Sequence, residues 1–426
     1  MTEVSGRRRW LKLAASSVSV LVLSACGSTN QSVTATSTPQ QKGESVGSAT
    51  TVVNPTTGKS VTLPKNVSVA SASTVGSITG ETTFIPHSVS FVSSSVGWAW
   101  GPGPSAVKSG VGPGVLSSTD NYGKTWSKVT TPGIDFTTQG SDNNFEYANG
   151  VRFVNAHLGF LFGSALYVTT DGGSAWAKVS SPGTVYDIEA GGGKVYALIN
   201  NCGISVSCGT ASLYQISNNG LLIQRVSSSP VFSWQAQLLV SGSSAFILTP
   251  PTTAGSGPYK LWKLQASGFS KTFDTPCEFS GSLSAAIAAW SDVGLALVCG
   301  SPPGAGEQIK TAYSSSDAGK TWSKGKLVGN LSGYITSLAA ANANTWILGE
   351  GRGDLLVTHD GGQTWSDLPI TGSDGGPGQG WGFVGFTNAH EAVAVPWTVN
   401  GSYLAFTNDG ARNWTIVNFP SGGAID

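Results

Sequence analysis

The sequence predicts an all-β fold, a β-propeller of seven four-stranded antiparallel blades, and three observations lead there. A phrase ending in tryptophan recurs five times along the 426 residues. A second phrase, a strand with Phe, a short turn and an apolar strand ending in Gly, recurs ahead of it. The composition lacks any sustained 3.6-residue period: 11% of residues are charged, Gly numbers 57 and Trp 14. Short β-branched and aromatic runs cut by Gly, Asn, Asp and Pro are the signature of strands and turns.

The tryptophan phrase is clearest in Ser315–Trp322 and Thr358–Trp365, built on Asp317 and Asp360. Thr169–Trp176 repeats it on Asp171, with Ala175 in the threonine position. Ser118–Trp126 carries it on Asp120 with one extra turn residue, and Thr407–Trp414 keeps only Asp409 and Trp414. Its chemistry is that of a hairpin turn. The carboxylate accepts backbone amides one to three residues ahead, glycine supplies positive φ, and the tryptophan buries a large ring at the start of the next strand.

Spacing of the aspartates sets the blade count. Asp120 to Asp171 is 51 residues, Asp317 to Asp360 is 43 and Asp360 to Asp409 is 49. The 146 residues from Asp171 to Asp317 hold room for two blades without the phrase, with strands at 194–199, 212–217, 245–249 and 259–264. Five blades with the phrase and two without make seven, with six or eight left open. Blades of 40–50 residues ringed about a channel are the propeller architecture. The strand phrase agrees: Val89–Gly101, Val151–Gly163 and Val384–His390 run parallel in sequence, with 337–349 a looser copy. A strand from Glu81–Ile85, or from within 51–70, is expected to complete the last blade, 382–418.

The five phrases resemble the Asp-box, or bacterial neuraminidase repeat. That resemblance implies that Asp120, Asp171, Asp317, Asp360 and Asp409, with Trp126, Trp176, Trp322, Trp365 and Trp414, cap hairpins away from the active face and carry no chemistry.

The chain divides into a signal segment (1–25), a tether (26–80) and the propeller (81–426). Arg7-Arg8-Arg9-Trp10-Leu11-Lys12 precedes 13 mostly apolar residues ending at Ala25, too short to span a bilayer and fit for an export signal. The arginines resemble the twin-arginine motif, with ordinary secretory export as the alternative. Leu23-Ser24-Ala25-Cys26-Gly27 resembles the bacterial lipobox. That likeness implies a lipid on Cys26 and a place on the outer face of the cytoplasmic membrane, or in the periplasm of a two-membrane bacterium. Residues 27–80 are Ser-, Thr- and Gly-rich with few aromatics and read as a tether, although Thr51–Val53 and Ser60–Leu63 have strand composition.

Charge narrows the partners. Without residues 1–25 the chain holds 19 basic and 22 acidic residues, so nucleic acid is not an expected partner. Beyond Cys26 there are four cysteines, Cys202, Cys208, Cys277 and Cys299. An even count in an exported chain favours disulfides. Of three pairings, Cys202–Cys208 with Cys277–Cys299 is the most local. The two would stabilise by about 2 and 3 kcal/mol, and are expected to replace the turns that the middle blades lack.

Catalytic chemistry finds little support. A sialidase needs three arginines, the first in a Phe-Arg-Ile-Pro phrase. This chain has Phe84-Ile85-Pro86, and only Arg152, Arg225, Arg352 and Arg412 in the folded domain. A two-carboxylate glycosidase needs acids about 5–9.5 Å apart. Asp142 and Glu146, in the polar loop 140–150, are one pair, and Asp187 and Glu189 another. The second pair shares a strand face at i, i+2. No metal, cofactor or phosphate motif is present. Gly/Pro-rich loops at 101–114, 250–258, 301–306 and 371–381, and Trp98, Trp100, Trp381 and Trp397, are candidate binding elements.

Over 82–420 the sequence most resembles the photosystem II assembly-factor subgroup of Asp-box propellers, which implies a non-catalytic, protein-binding module; with the Cys26 anchor, a membrane-tethered monomer is expected. The alternative is a carbohydrate-active propeller, hydrolase or lectin.

Overall fold

The computed structural model describes residues 51–53, 60–62 and 85–419, apart from 104–110, 138–145, 201–208, 228, 234, 252–256, 266–267, 270–271, 280–284, 303, 305, 330–332, 369–379 and 397–402. The signal segment, Cys26, Cys202, Cys208, Asp142 and Trp397 lie outside the described residues.

Thr51–Val53 pairs antiparallel with Ser60–Thr62, Val52 opposite Val61, in a compact unit of its own. The other unit is built of four-stranded antiparallel meanders, numbered here in chain order, with strands a to d. Meander 1 is Ser88–Phe91, Gly97–Pro102, Val111–Thr119 and Ser127–Val129. Meander 2 is Tyr147–Phe153, Gly159–Gly163, Leu166–Thr169 and Ala177–Val179. Asp135–Thr137 pairs with strand c of the first and, in parallel, with strand a of the second, fusing both into one nine-stranded sheet. Meander 3 is Val185–Gly191, Lys194–Asn200, Thr210–Ile216 and a broken fourth strand, Ile223–Arg225 and Phe232–Ser233. Meander 4 is Gln237–Ser241, Ser244–Thr249, Pro258–Gln265 and a broken fourth strand, Gly268–Phe269 and Phe273–Glu278. Meander 5 is Ala285–Ala289, Leu295–Gly300, Lys310–Ser315 and Lys326–Leu327. Meander 6 is Ile335–Ala340, Trp346–Glu350, Leu355–Thr358 and Ser366–Leu368. Meander 7 is Trp381–Phe386, Ala392–Pro396, Tyr403–Thr407 and Thr415–Asn418.

Strands b are apolar on both faces because each sheet is sandwiched between two others. Val195, Ala197 and Ile199 face one core, with Phe160, Phe162 and Val168 of meander 2. Tyr196 and Leu198 face the next, with Leu238, Ala245 and Ile247 of meander 4. The a strands of consecutive meanders lie side by side, and short polar side chains stitch them. Ser88 Oγ accepts the Val151 amide at 3.1 Å and Ser90 Oγ that of Phe153 at 2.7 Å. Gln237 donates to the Ala285 carbonyl at 2.8 Å, and Ser337 Oγ accepts the Val384 amide at 3.2 Å.

The described strands of meander 7 all come from residues 381–418. The expected closing segment lies outside the described residues over 54–59, 63–70 and 81–84. Apolar side chains join the last meander to the first: Val393, Phe406 and Phe419 pack on Val89, Ala99 and Trp126, with Phe91 edge-on to Phe406 at 5.3 Å.

The tryptophan phrases link strands c and d, as expected of hairpin turns, and their bonding sharpens the expected chemistry. Asp171 Oδ1 accepts the Ala175 amide at 2.9 Å, Asp317 that of Thr321 at 2.9 Å, Asp360 that of Thr364 at 2.9 Å and Asp409 that of Asn413 at 2.9 Å. The reach is thus four residues, with a second bond at three in Asp360 and Asp409. A hydroxyl at the end of strand c completes each turn. Thr169 Oγ1 donates to Asp171 at 2.8 Å and accepts the Gly173 amide at 2.8 Å, and Ser315, Thr358 and Thr407 do the same.

Two residues after each anchor are left-handed: Gly172 and Gly173, Ala318 and Gly319, Gly361 and Gly362, Gly410 and Ala411. In the first copy these are Tyr122 and Gly123, which moves the anchor from Asp120 to Asn121. Asn121 Oδ1 accepts the Thr125 amide at 3.0 Å and the Thr119 hydroxyl at 3.1 Å, while Asp120 is exposed. The copy therefore holds no extra residue, because the anchor sits five positions before the tryptophan in every turn.

Cys277 and Cys299 are disulfide-bonded, with Cα atoms 5.0 Å apart. They join strand d of meander 4 to strand b of meander 5, within the apolar seam of Phe246, Leu248, Tyr259 and Leu261. The bond fastens two sheets together rather than standing in for a missing turn. Meander 3 has a substitute of its own: Ser217 Oγ bonds Asn219 Oδ1 at 2.6 Å, which accepts the Leu221 amide at 3.2 Å. In meander 4 the turn at Gly242–Ser243 is held from the next sheet by Asp292, whose carboxylate accepts the Ser243 and Ser244 amides at 2.8 and 3.1 Å.

Candidate functional site

Each reversal of an antiparallel meander swaps ends, so the a–b and c–d turns share one end of the assembly and the b–c and d–a connections share the other. All five tryptophan turns are c–d connections. The four Gly/Pro-rich stretches span b–c connections and their flanking strand ends (101–114, 250–258, 301–306) or a d–a connection up to the next strand (371–381). The topology thus brings the strand ends that flank all four loops to the end opposite the tryptophan turns.

The charged residues of the a strands cluster where meanders 2, 3 and 4 meet. Asp187 and Glu189 share one face of strand a in meander 3, as their spacing predicts. Arg152, on strand a of meander 2, bonds Glu189 through Nη2 to Oε2 at 2.5 Å. The Asp187 carboxylate accepts the Leu238 amide of meander 4. This trio is the charged counterpart of the serine and glutamine stitches. The Arg152 and Glu189 side chains are half-buried, with 28% and 26% of their surface accessible. Burial, with the Glu189 charge beside it, pushes the Asp187 carboxyl up to about 7, against Arg152 and the Leu238 and Ile188 amides. Glu189 is likewise raised by burial and held down by Arg152. Arg152 Nε is buried without a hydrogen-bond partner. The cluster can hold a proton near neutral pH and present a guanidinium edge. Its third member is an arginine, so two acids share the face with one guanidinium.

Glu146 is far more open and bonds Lys178, with half of each side chain accessible. Trp98, Trp100 and Trp381 are packing residues. Trp98 stacks on Phe153 at 3.6 Å, Trp100 donates to the Ala148 carbonyl at 3.1 Å, and Trp381 lies edge-on to Tyr403 at 6.1 Å. All three are buried. No group of three metal-ligating side chains occurs among the described residues, and no helix among them is long and apolar enough to cross a membrane.

One charged pair escaped the sequence reading. Lys310 opens strand c of meander 5, Glu350 closes strand b of meander 6, and both are fully buried with Nζ 2.5 Å from Oε1. The sequence signal is slight: Glu350 ends an otherwise apolar strand, and Lys310 opens one of Thr, Ala, Tyr and Ser. Burial pushes the Glu350 carboxyl up to about 7, opposed by Lys310 and reinforced by the charges of Asp367 and Asp354.

No protein-family model matches the chain, and no curated protein matches its sequence. Solved structures do. YCF48 bound to a D1 peptide is 18% identical with a TM-score of 0.51, the match covering 80% of this chain and 95% of that one. YCF48 from Cyanidioschyzon merolae is 14% identical with a TM-score of 0.50, over 80% and 97%. A Mycobacterium tuberculosis puromycin-hydrolyzing peptidase is 11% identical with a TM-score of 0.53, over 80% of this chain and 54% of that one. At such identities the likeness is one of fold, and together with the sheet order it makes this chain a β-propeller of four-stranded antiparallel blades.

Proposed function

We propose that the chain is a membrane-anchored, non-catalytic, protein-binding propeller of seven blades, in which the two halves of the nine-stranded sheet count as two. Its tryptophan turns are Asp-box repeats, which rigidify one end. Its partner docks on the other end, an extended peptide being the simplest ligand. One observation carries this reading: the strand ends that flank the Gly/Pro-rich loops gather at the end opposite the tryptophan turns, as suits a rigid scaffold that displays binding loops. The fold likeness to a propeller with a bound peptide supports it. Lipidation of Cys26 places the ring at a membrane surface.

Photo-crosslinking in living cells tests the docking face. A photoreactive residue at Glu307, exposed within the 301–309 connection, is expected to trap a protein partner. The same probe at Lys320, exposed in a tryptophan turn, is expected to trap none. Equal trapping from both ends, or none from either, overturns the assignment. Loss of radiolabelled lipid in Cys26→Ser checks the anchor separately.

One observation favours the carbohydrate-active alternative: Asp187 holds its proton toward neutral pH, as a general acid does. Turnover of a glycan panel that disappears in Asp187→Asn would establish it.

A further inference from the structure

Lys310 and Glu350 belong to adjacent blades and meet in the seam between them. Both side chains are fully buried. The pair lies at one end of an apolar seam that includes Ala312, Val328, Ile335 and Leu348. Lys310 Nζ is 2.5 Å from Glu350 Oε1, and this contact opposes the burial that raises the Glu350 carboxyl. Two opposite charges sealed in an apolar seam are costly to keep there.

We propose that Lys310 and Glu350 condense into an intramolecular amide, a covalent tie between two blades. A proton passed across the contact turns ammonium and carboxylate into amine and acid. The Nζ lone pair then attacks Cδ. An N–C bond forms, one C–O bond breaks, and the departing hydroxyl takes a proton from nitrogen and leaves as water. No oxidant, reductant or further reactant enters. Reacting groups held this close by the fold gain the large advantage of an intramolecular reaction. The raised Glu350 carboxyl favours the acid form that can lose hydroxide. The product removes both charges from the seam. It would lie one seam on from the Cys277–Cys299 disulfide, so that two successive seams of the ring would be closed covalently.

Peptide mapping of the full-length exported protein tests this. Proteolysis is expected to yield a branched peptide that contains Lys310 and Glu350 and is lighter by one water than its two linear parts. Fragmentation is expected to place the bond on those two side chains. Recovery of both linear peptides in full yield overturns the proposal and leaves a plain ion pair. Because Lys310→Arg alone can unfold a sealed seam, the double variant Lys310→Met/Glu350→Met, apolar and similar in volume, is the control. It is expected to fold and to give linear peptides only. A branched peptide of the same mass deficit in that variant also overturns the assignment.

Discussion

The side chain of Asn121 accepts the Thr125 amide at 3.0 Å, in the place that aspartate holds in the four other tryptophan turns. Thr119 supports it from strand c, donating to Asn121 and accepting the Gly123 amide at 2.9 Å. Asn121→Ala is therefore expected to destabilise the protein by about 1 kcal/mol. Asp120→Ala, at an exposed neighbour, is expected to change stability by less than about 0.5 kcal/mol. Chemical denaturation of both variants separates the two positions.

Asp317 titrates in the opposite sense to the buried acids. Its carboxylate accepts the Thr321 hydroxyl at 2.6 Å and the Thr321 amide at 2.9 Å, and these bonds hold its folded value at about 2, below 3.8. The stabilisation is complete above 3.8 and is lost as pH falls from there through about 2. Asp317→Asn is expected to flatten that part of the profile, read as unfolding midpoint against pH. Solvent exposure keeps the effect small.

For Asp187 the sign reverses. The folded value near 7 lies above the ordinary 3.8, so the folded state binds the proton more tightly. This contribution is fully present below pH 3.8 and fades as pH rises through about 7. Asp187→Asn, neutral throughout and still able to accept the Leu238 amide, is expected to be the more stable form at pH 7.5. Its advantage is expected to shrink toward pH 4. Equal pH profiles for the two proteins would show that the carboxyl is not held up by its surroundings.

The disulfide carries its own prediction. Cys277 and Cys299 are 22 residues apart and fasten a seam whose fourth blade lacks a tryptophan turn. Replacing both by Ala is expected to lower the unfolding free energy by about 3 kcal/mol, and reduction of the wild type should give a similar loss. Unchanged thermal stability after verified reduction would remove the bond from the account of this seam.

Several features were legible in the sequence. Alternation placed Asp187 and Glu189 on one face, since a strand's period of two is local. The tryptophan phrase marked its turns because Asp and Gly act on backbone within a few residues. Even there the anchor of the first turn was misplaced by one position, because adjacent Asp120 and Asn121 are both turn formers and only the Thr119 hydroxyl selects between them. The repeated hydroxyl at the end of strand c in all five copies was the signal that could have found it.

By itself, then, the sequence determined the class of fold, its repeat and its turns, all products of short-range backbone preference and hydrophobic spacing. Tertiary structure decided what distant segments do to one another. Arg152 meets Glu189 37 residues away, and Lys310 meets Glu350 across 40 positions. The last blade packs on the first through Phe406 and Phe91. Those pairings depend on where whole sheets sit around a ring, which no local pattern of residues encodes.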